Sequence, residues 1–346
     1  MNIRIKSLKI NNFKGIEELK LDFKYLNSDE VLDNIVIYGI NGAGKSTILE
    51  AIYLSLIVAT TYQNRKDLEK IENYLIDSIS LGSEWIYNNR DEFTISIEIL
   101  EASNSKTGTL KYNKDSGLSW SITPKLSISF GKPFTFLSSY RLLNPTTIQT
   151  AGDWEEIERI EYFSRRAGAY LNGRSRRDSQ VFPSLSLQFD NNYKTVKQHL
   201  VNLITDKQVG AITEDGIETL EKIKEAFKIF FPEKEFLEKL SRTERLKDYR
   251  LNIKNEDGSV VDLDQLSSGE REVIAFFTYL CIKALNSSIL IIDEPELHLH
   301  PKWQTIIVYA IHKLFPNTQL FIATHSKEIH QSASESELFE LKKAEI

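Results

Sequence analysis

Eight residues near the start of the chain, Gly39-Ile-Asn-Gly-Ala-Gly-Lys-Ser46, carry its clearest chemistry. They satisfy the pattern G-x-x-x-x-G-K-[ST] throughout. Gly39, Gly42 and Gly44 let the backbone curl so that its N–H groups point inward at phosphate oxygens. A helix starting at Ser46 adds its positive end. Lys45 supplies a point charge to the outer phosphates, and the Ser46 hydroxyl is an oxygen ligand for Mg²⁺. Such a loop binds a nucleotide without naming the reaction, because kinases, GTPases and motor ATPases share it.

Three later segments complete the set. Ile289-Leu-Ile-Ile-Asp-Glu294 is an apolar strand ending in two acids, followed by Pro295. At the tip of a central parallel strand, Asp293 is placed to hold the Mg²⁺ shell and Glu294 to orient or deprotonate an attacking water. Leu266-Ser-Ser-Gly-Glu270 reads alone as a good helix N-cap. Its place at a helix start, one helix before the acidic strand, is similar to that of the ABC signature. That similarity implies that Ser267 and the helix N-terminus at Gly269 offer donors to a γ-phosphate bound by another copy. Gln319-Leu-Phe-Ile-Ala-Thr-His-Ser326 puts His325 at the tip of the next strand, within reach of the γ-phosphate as a sensor. His298 and His300 have only glutamates for company and no cysteine, a poor set for zinc.

The elements that must position these residues are legible from periodicity. Ile3, Ile5, Leu8 and Ile10 alternate with polar partners as in a half-buried strand, and Leu19, Leu21 and Phe23 suggest a second one after Gly15. Asn34–Tyr38 is β-prone and runs into the phosphate loop; Ser46 to Thr61 is helical and too short an apolar run to span a bilayer. Short alternating stretches at Phe93–Leu100, Thr109–Tyr112, Leu126–Phe130 and Phe134–Leu137 read as an antiparallel meander. From Trp154 to about Leu246 the texture is charged and mostly helical, with Ile217, Leu220, Ile223, Phe227 and Phe231 spaced for one helix face and Pro232 ending it. Strand Tyr249–Ile253 then turns at Asp257-Gly258 into Val260-Val261. Helix 269–285, strand 288–292, helix 302–314 and strand 319–323 follow, an alternation that predicts a parallel sheet with crossover helices.

With 346 residues, 41% hydrophobic and 27% charged, the chain can bury a sizeable core. Its net charge of −6 gives no global basic field for coating nucleic acid. Its single cysteine, Cys281, rules out an internal disulfide and fits buried packing in a reducing, cytoplasmic compartment. The amino terminus lacks the unbroken apolar core of a signal peptide.

Taken in order, Asn12-Phe13-Lys14-Gly15, the phosphate loop, the LSSGE segment, Ile289–Pro301 and Ala-Thr-His-Ser resemble the ABC ATPase heads of the SMC, RecF and OLD group, closest to compact AAA-21-like bacterial ATPases. The resemblance covers about the first 60 and the last 90 residues. It implies an α/β fold: an ABC-type P-loop head with an antiparallel β subdomain and an inserted helical subdomain. The division expected is an N-terminal ATPase lobe at 1–150, a helical insertion at 151–248 and a C-terminal lobe at 249–346. It also implies ATP and Mg²⁺ as ligands, bound between two heads that meet head to tail. Carried onto this chain, Lys14 approaches the α-phosphate, while Asn41, Gly42, Gly44, Lys45, Ser46 and Thr47 line the phosphates. Ser46 and Asp293 serve the metal, Glu294, His325 and Lys45 the chemistry, and Ser267 and Gly269 the partner's nucleotide. The text Glu294–Pro301 supplies a loop by which protomers sense each other. A glutamine usually closes the metal shell at the end of a lobe-linking strand. None is in register after Phe134–Leu137, which leaves Arg141, Gln149 or water.

Compact heads of this branch accompany a nuclease or toxin in anti-phage operons, so the resemblance points to a homodimer or higher oligomer controlling a separate effector. The alternative is a RecF-like DNA-repair ATPase. The stretch Ser164–Arg177, with five arginines and a tyrosine, suits either DNA phosphates or an acidic partner surface. The long separation of phosphate loop and signature speaks against a transporter subunit and hence a membrane partner.

Overall fold

The computed structural model describes residues 3–61, 85–101, 104–123, 134–137, 193–242, 249–297 and 299–341. The sites expected at Arg141, Gln149, the arginine-rich stretch 164–177, strand 126–130 and His298 lie outside them.

Strand β1 (Ile3–Phe13) pairs antiparallel with β2 (Ile16–Asp22) on one side and β4 (Glu92–Glu101) on the other. The spacing of its apolar residues has a physical consequence. Ile3 and Ile5 are two apart but Leu8 is three further on, so a regular strand would turn one pair outward. A register shift between Ile5 and Ser7 inserts the extra residue, and Ile3, Ile5, Leu8 and Ile10 all stay buried. Strands β5 (Asn104–Asn113) and β6 (Gly117–Thr123) complete a sheet of order β2-β1-β4-β5-β6.

A second five-stranded sheet is wholly parallel, and it takes Phe134–Leu137, expected in the antiparallel meander, as the edge strand beside Ile289–Asp293. Its strands are β3 (Asn34–Gly39), β7 (Phe134–Leu137), β11 (Ile289–Asp293), β12 (Gln319–Thr324) and β13 (Leu338–Leu341), in the order β13-β3-β12-β11-β7. Helix α1 (Lys45–Thr61), apolar on every side, lies in the core between the two sheets. Ile35, Ile37, Ile289, Ile291, Phe321 and Ala323 face that core; their neighbours Val36, Leu290, Ile292, Leu320 and Ile322 face a second core built by helices. Gln319 joins the two sheets. Fully buried, it donates from Nε2 to the carbonyls of Ile5 (2.9 Å) and Leu32 (3.0 Å), and its Oε1 accepts from the Ile5 amide (2.6 Å).

The second core holds α2 (Tyr193–Val209), α3 (Glu214–Phe230), α4 (Ser268–Ala284) and α5 (Pro301–Leu314), with the short α6 (Lys327–Ser332) beside it. Thr213 caps α3 by accepting from the Gly216 amide, and the helix stops before Pro232 as expected. Two sequence expectations fail here. Ile217 is 44% exposed, because the buried stripe of α3 runs through Gly216, Thr219, Leu220, Ile223, Ala226, Phe227 and Phe230. The helical reading also extends too far: Glu235–Arg242 is strand β8, which pairs with β9 (Tyr249–Lys254) in the sheet β10-β9-β8, where β10 is Val260–Asp262. Pairing with β9 overrides the weak helical pattern of a charged segment. Cys281 is buried in α4, as expected. Among the described residues no helix is long and apolar enough to cross a membrane.

Candidate nucleotide site

Three adjacent strands, β3, β12 and β11, deliver the site at their carboxyl ends, where open α/β sheets bind ligands. From β3 the chain enters the phosphate loop. Gly39 is needed there for room: it pairs with Leu341, and a Cβ on it would lie 2.6 Å from the Leu341 carbonyl oxygen. Gly42 (φ +80°) and Gly44 (φ +91°) adopt left-handed backbone, and space is open beside Gly42. Asn41, Gly42 and Ser46 are exposed, Thr47 is half-buried and Lys45 is buried.

The Lys45 ammonium donates to the carbonyls of Gly39 (3.0 Å) and Ile40 (3.1 Å) and lies 2.9 Å from His325 Nε2. Burial pulls its pKa below the usual lysine value, while the carboxylates of Glu294, Asp293 and Glu296 act to raise it. The Ser46 hydroxyl donates to Asp293 Oδ1 at 3.2 Å. His325 Nε2 is also 3.4 Å from Glu294 Oε1, so the imidazole stands between the lysine and the second acid. Glu294 itself has φ +48°, a left-handed conformation costly for a residue with a Cβ, and its amide donates to the Ala323 carbonyl at 2.8 Å. Lys45, Ser46, Asp293, Glu294 and His325 thus meet in one place.

Lys14 and the signature stand apart from that contact set. Lys14 (φ +51°) pairs with Glu50 of α1 at 2.5 Å and lies 4.4 Å from the centre of the Trp85 ring. Exposed Ser267 caps α4: the Glu270 amide donates to its hydroxyl (3.3 Å), which in turn donates to Glu270 Oε2 (2.7 Å). Lys234 pairs with Glu270 at 2.5 Å and ties that cap to the turn before β8. Among the described residues neither Ser267 nor Gly269 has a recorded hydrogen bond to the phosphate loop. His300 caps α5, accepting from the Lys302 amide at 3.2 Å.

The residues suit a triphosphate with Mg²⁺. A left-handed glycine loop with open space beside it leads into a helix N-terminus, next to a buried ammonium whose present acceptors are carbonyls. Two hard oxygen donors, Ser46 Oγ and Asp293 Oδ1, lie side by side.

Residues 35–329 match the AAA_21 family, described as "AAA domain, putative AbiEii toxin, Type IV TA system". The chain belongs to this family. The chain is 25% identical to the Escherichia coli protein named "Retron Ec83 probable ATPase", over 98% of this chain and 72% of that one. The Septu protein PtuA of Bacillus thuringiensis is 26% identical, over 97% and 75% respectively. The SMC head domain from Thermotoga maritima superposes with a TM-score of 0.53 at 13% identity, covering 97% of this chain and 94% of that one. The fold is therefore that of an ABC-type ATPase head, as the motifs implied. Sequence reasoning missed several residues that build the site. Glu50 and Trp85 flank Lys14; Glu296, assigned only to protomer sensing, holds the His325 loop.

Proposed function

We propose that this chain is a Mg²⁺-dependent ATPase whose heads pair around ATP and whose nucleotide state controls a separate effector in anti-phage defence. The convergence of Lys45, Ser46, Asp293, Glu294 and His325 at the carboxyl edge of the parallel sheet carries this reading. In it, Lys45 exchanges the neutral carbonyl acceptors of Gly39 and Ile40 for anionic phosphate oxygens, gaining an ion pair. The loop amides from Gly42 to Thr47 and the side chain of Asn41 complete the phosphate cradle, and Lys14 leaves Glu50 for the α-phosphate. Ser46 and Asp293 hold Mg²⁺, which supplies positive charge to the outer phosphate oxygens. Glu294 accepts the proton of the attacking water, and His325 holds the γ-phosphate from the far side.

Pairing follows from what the loop leaves uncovered. Ser267 and Ser268 are exposed at the start of α4, whose positive end suits a phosphate carried by a second copy, the Ser267 hydroxyl turning from Glu270 to the phosphate. In this reading 1–150 and 249–346 are the two ATPase lobes and 151–248 is the helical insertion, whose helices α2 and α3 pack into one core with α4 and α5; the effector is a separate nuclease or toxin. The named relatives, a retron ATPase and a Septu protein, support the defence role.

Mixing two inactive variants tests the shared site. Lys45→Ala keeps an intact signature and Ser267→Arg an intact phosphate loop, so their mixture rebuilds one composite site and regains part of the ATPase activity. Full activity of Ser267→Arg alone, at dilutions where it sediments as a monomer, overturns the reading.

A further inference from the structure

Glu296 lies outside the set that would touch ATP, yet its surroundings set it apart. Through a single oxygen, Oε1, it accepts from the Thr324 hydroxyl (2.8 Å), the His325 amide (2.7 Å) and the Ser326 amide (3.2 Å). All three residues at the tip of β12 therefore share one carboxylate, and the Ser326 amide donates to Thr324 Oγ1 (2.9 Å) as well. Hydrogen bonds to an ionised acceptor are about twice as strong as neutral ones, so this is a firm tether for a loop end. Ser326 is held from its other side as well: its hydroxyl donates to Gln304 Oε1 (2.7 Å), and Gln304 Nε2 donates to the Leu299 carbonyl (2.9 Å). Glu296 itself sits in the turn that opens at Glu294, closed by the Leu297 amide donating to the Glu294 carbonyl at 3.2 Å. The turn bearing the proposed base and the loop bearing the proposed sensor are thus joined through one side chain.

We propose that Glu296 is a positioning residue for ATP hydrolysis, fixing the His325 backbone so that its imidazole stands between Lys45 and Glu294. Its carboxylate makes no hydrogen bond to the phosphate loop among the described residues, and its charge is the last of the three acting on Lys45, so its main effect falls on the chemical step and only weakly on nucleotide affinity. Without it the tip of β12 keeps its ladder to β3 and β11 but loses the bonds that orient residues 324–326. A misplacement of about 1 Å at a reacting centre is enough to cost roughly 10²-fold in rate.

The inference rests on the ATPase reading above, and a double-mutant cycle separates the two. In the full chain, Glu296→Ala lowers kcat roughly 10- to 100-fold with KM for ATP within about twofold. Glu296→Gln, which keeps a carbonyl oxygen at the Oε1 position, recovers most of the loss. In a His325→Ala background Glu296→Ala costs nothing further, because the residue it positions is gone. If His325→Ala is impaired but Glu296→Ala turns over at the wild-type rate, or if the two losses multiply, the positioning role is overturned and the ATPase reading stands. If His325→Ala itself turns over normally, the reading of His325 fails and takes the inference with it. Should Glu296→Ala lose its cooperative thermal transition, Thr324→Val carries the same cycle. A few-fold loss in kcat that vanishes in the His325→Ala background is expected; no loss overturns the proposal.

Discussion

Glu294→Gln isolates the chemistry most cleanly, because it keeps the volume, the turn at φ +48° and the neighbour His325, and removes one charge and one basic oxygen. Losing a general base costs roughly 10²- to 10⁴-fold in turnover, which at 1.36 kcal/mol per decade is about 2.7–5.4 kcal/mol of barrier. Binding moves the other way. Glu294 heads the three carboxylates whose field acts to raise the Lys45 pKa, ahead of Asp293 and Glu296, so it is the strongest negative influence on that ammonium. The same field opposes an incoming polyanion. A like-charge pair about 4 Å apart costs about 1 kcal/mol in a water-like dielectric. Removing it leaves ATP affinity unchanged or up to about fivefold tighter, the phosphates themselves replacing the counter-charge that Lys45 loses. Steady-state phosphate release gives kcat, and titration with a fluorescent ATP analogue gives Kd. A variant that turns over within about threefold of wild type, or binds more than about tenfold weaker, refutes Glu294 as the base.

Lys45→Ala removes the ammonium that would meet the outer phosphates, and binding of the same analogue should disappear; micromolar affinity in that variant would sink the phosphate-loop assignment. Gly39→Ala places a Cβ 2.6 Å from the backbone oxygen of Leu341, so β13 or the loop must shift. Overpacking of this kind costs about 1–3 kcal/mol, read as a lower midpoint in chemical denaturation, and an unchanged midpoint contradicts it. Cys281 is buried in α4, and burial holds its thiol well above the ordinary range, so it carries almost no thiolate at pH 8. A thiol reagent should label it only as fast as the chain unfolds; rapid stoichiometric labelling of the native protein would show the site to be open.

Three strands of the parallel sheet, β3, β11 and β12, were readable as short apolar runs next to helices. Phe134–Leu137 reads instead as part of the antiparallel meander and β13 was not read at all, because four-residue runs carry too little periodicity to show their partner. The errors fell where periodicity is weak. Glu235–Arg242 carries its charges at 235, 238, 239 and 242, a helical spacing, and only its partner strand β9 overrides it. Ile217 shared a helical spacing with buried residues, yet the stripe of α3 is centred on Leu220, Ile223 and Phe227, one step round the helix. The chemical residues announced themselves by type and spacing, whereas their supports did not. A glutamate three residues after Asp293 reads as a loop charge until three donors are seen to converge on it. Gln319 reads as the polar start of a strand until its amide is found bridging two sheets.

Strand order does what motif order cannot. Along the chain the phosphate loop, the acids and His325 occur in that sequence, which suggests the acids as the loop's neighbour. In space β12 lies between β3 and β11, so the histidine loop is interposed between the phosphate loop and the acids. Adjacent strands stand roughly 4.8 Å apart, and side chains leaving their tips reach across one such gap but not easily across two. His325 on the middle strand can therefore touch both flanks, and it lies 2.9 Å from Lys45 on one and 3.4 Å from Glu294 on the other. Ser46, in the first turn of α1, reaches Asp293 of β11 at 3.2 Å. A group so placed feels the phosphate end and the base end of the site together. The loop that holds it is in turn fixed by Glu296, from the same turn that presents Glu294.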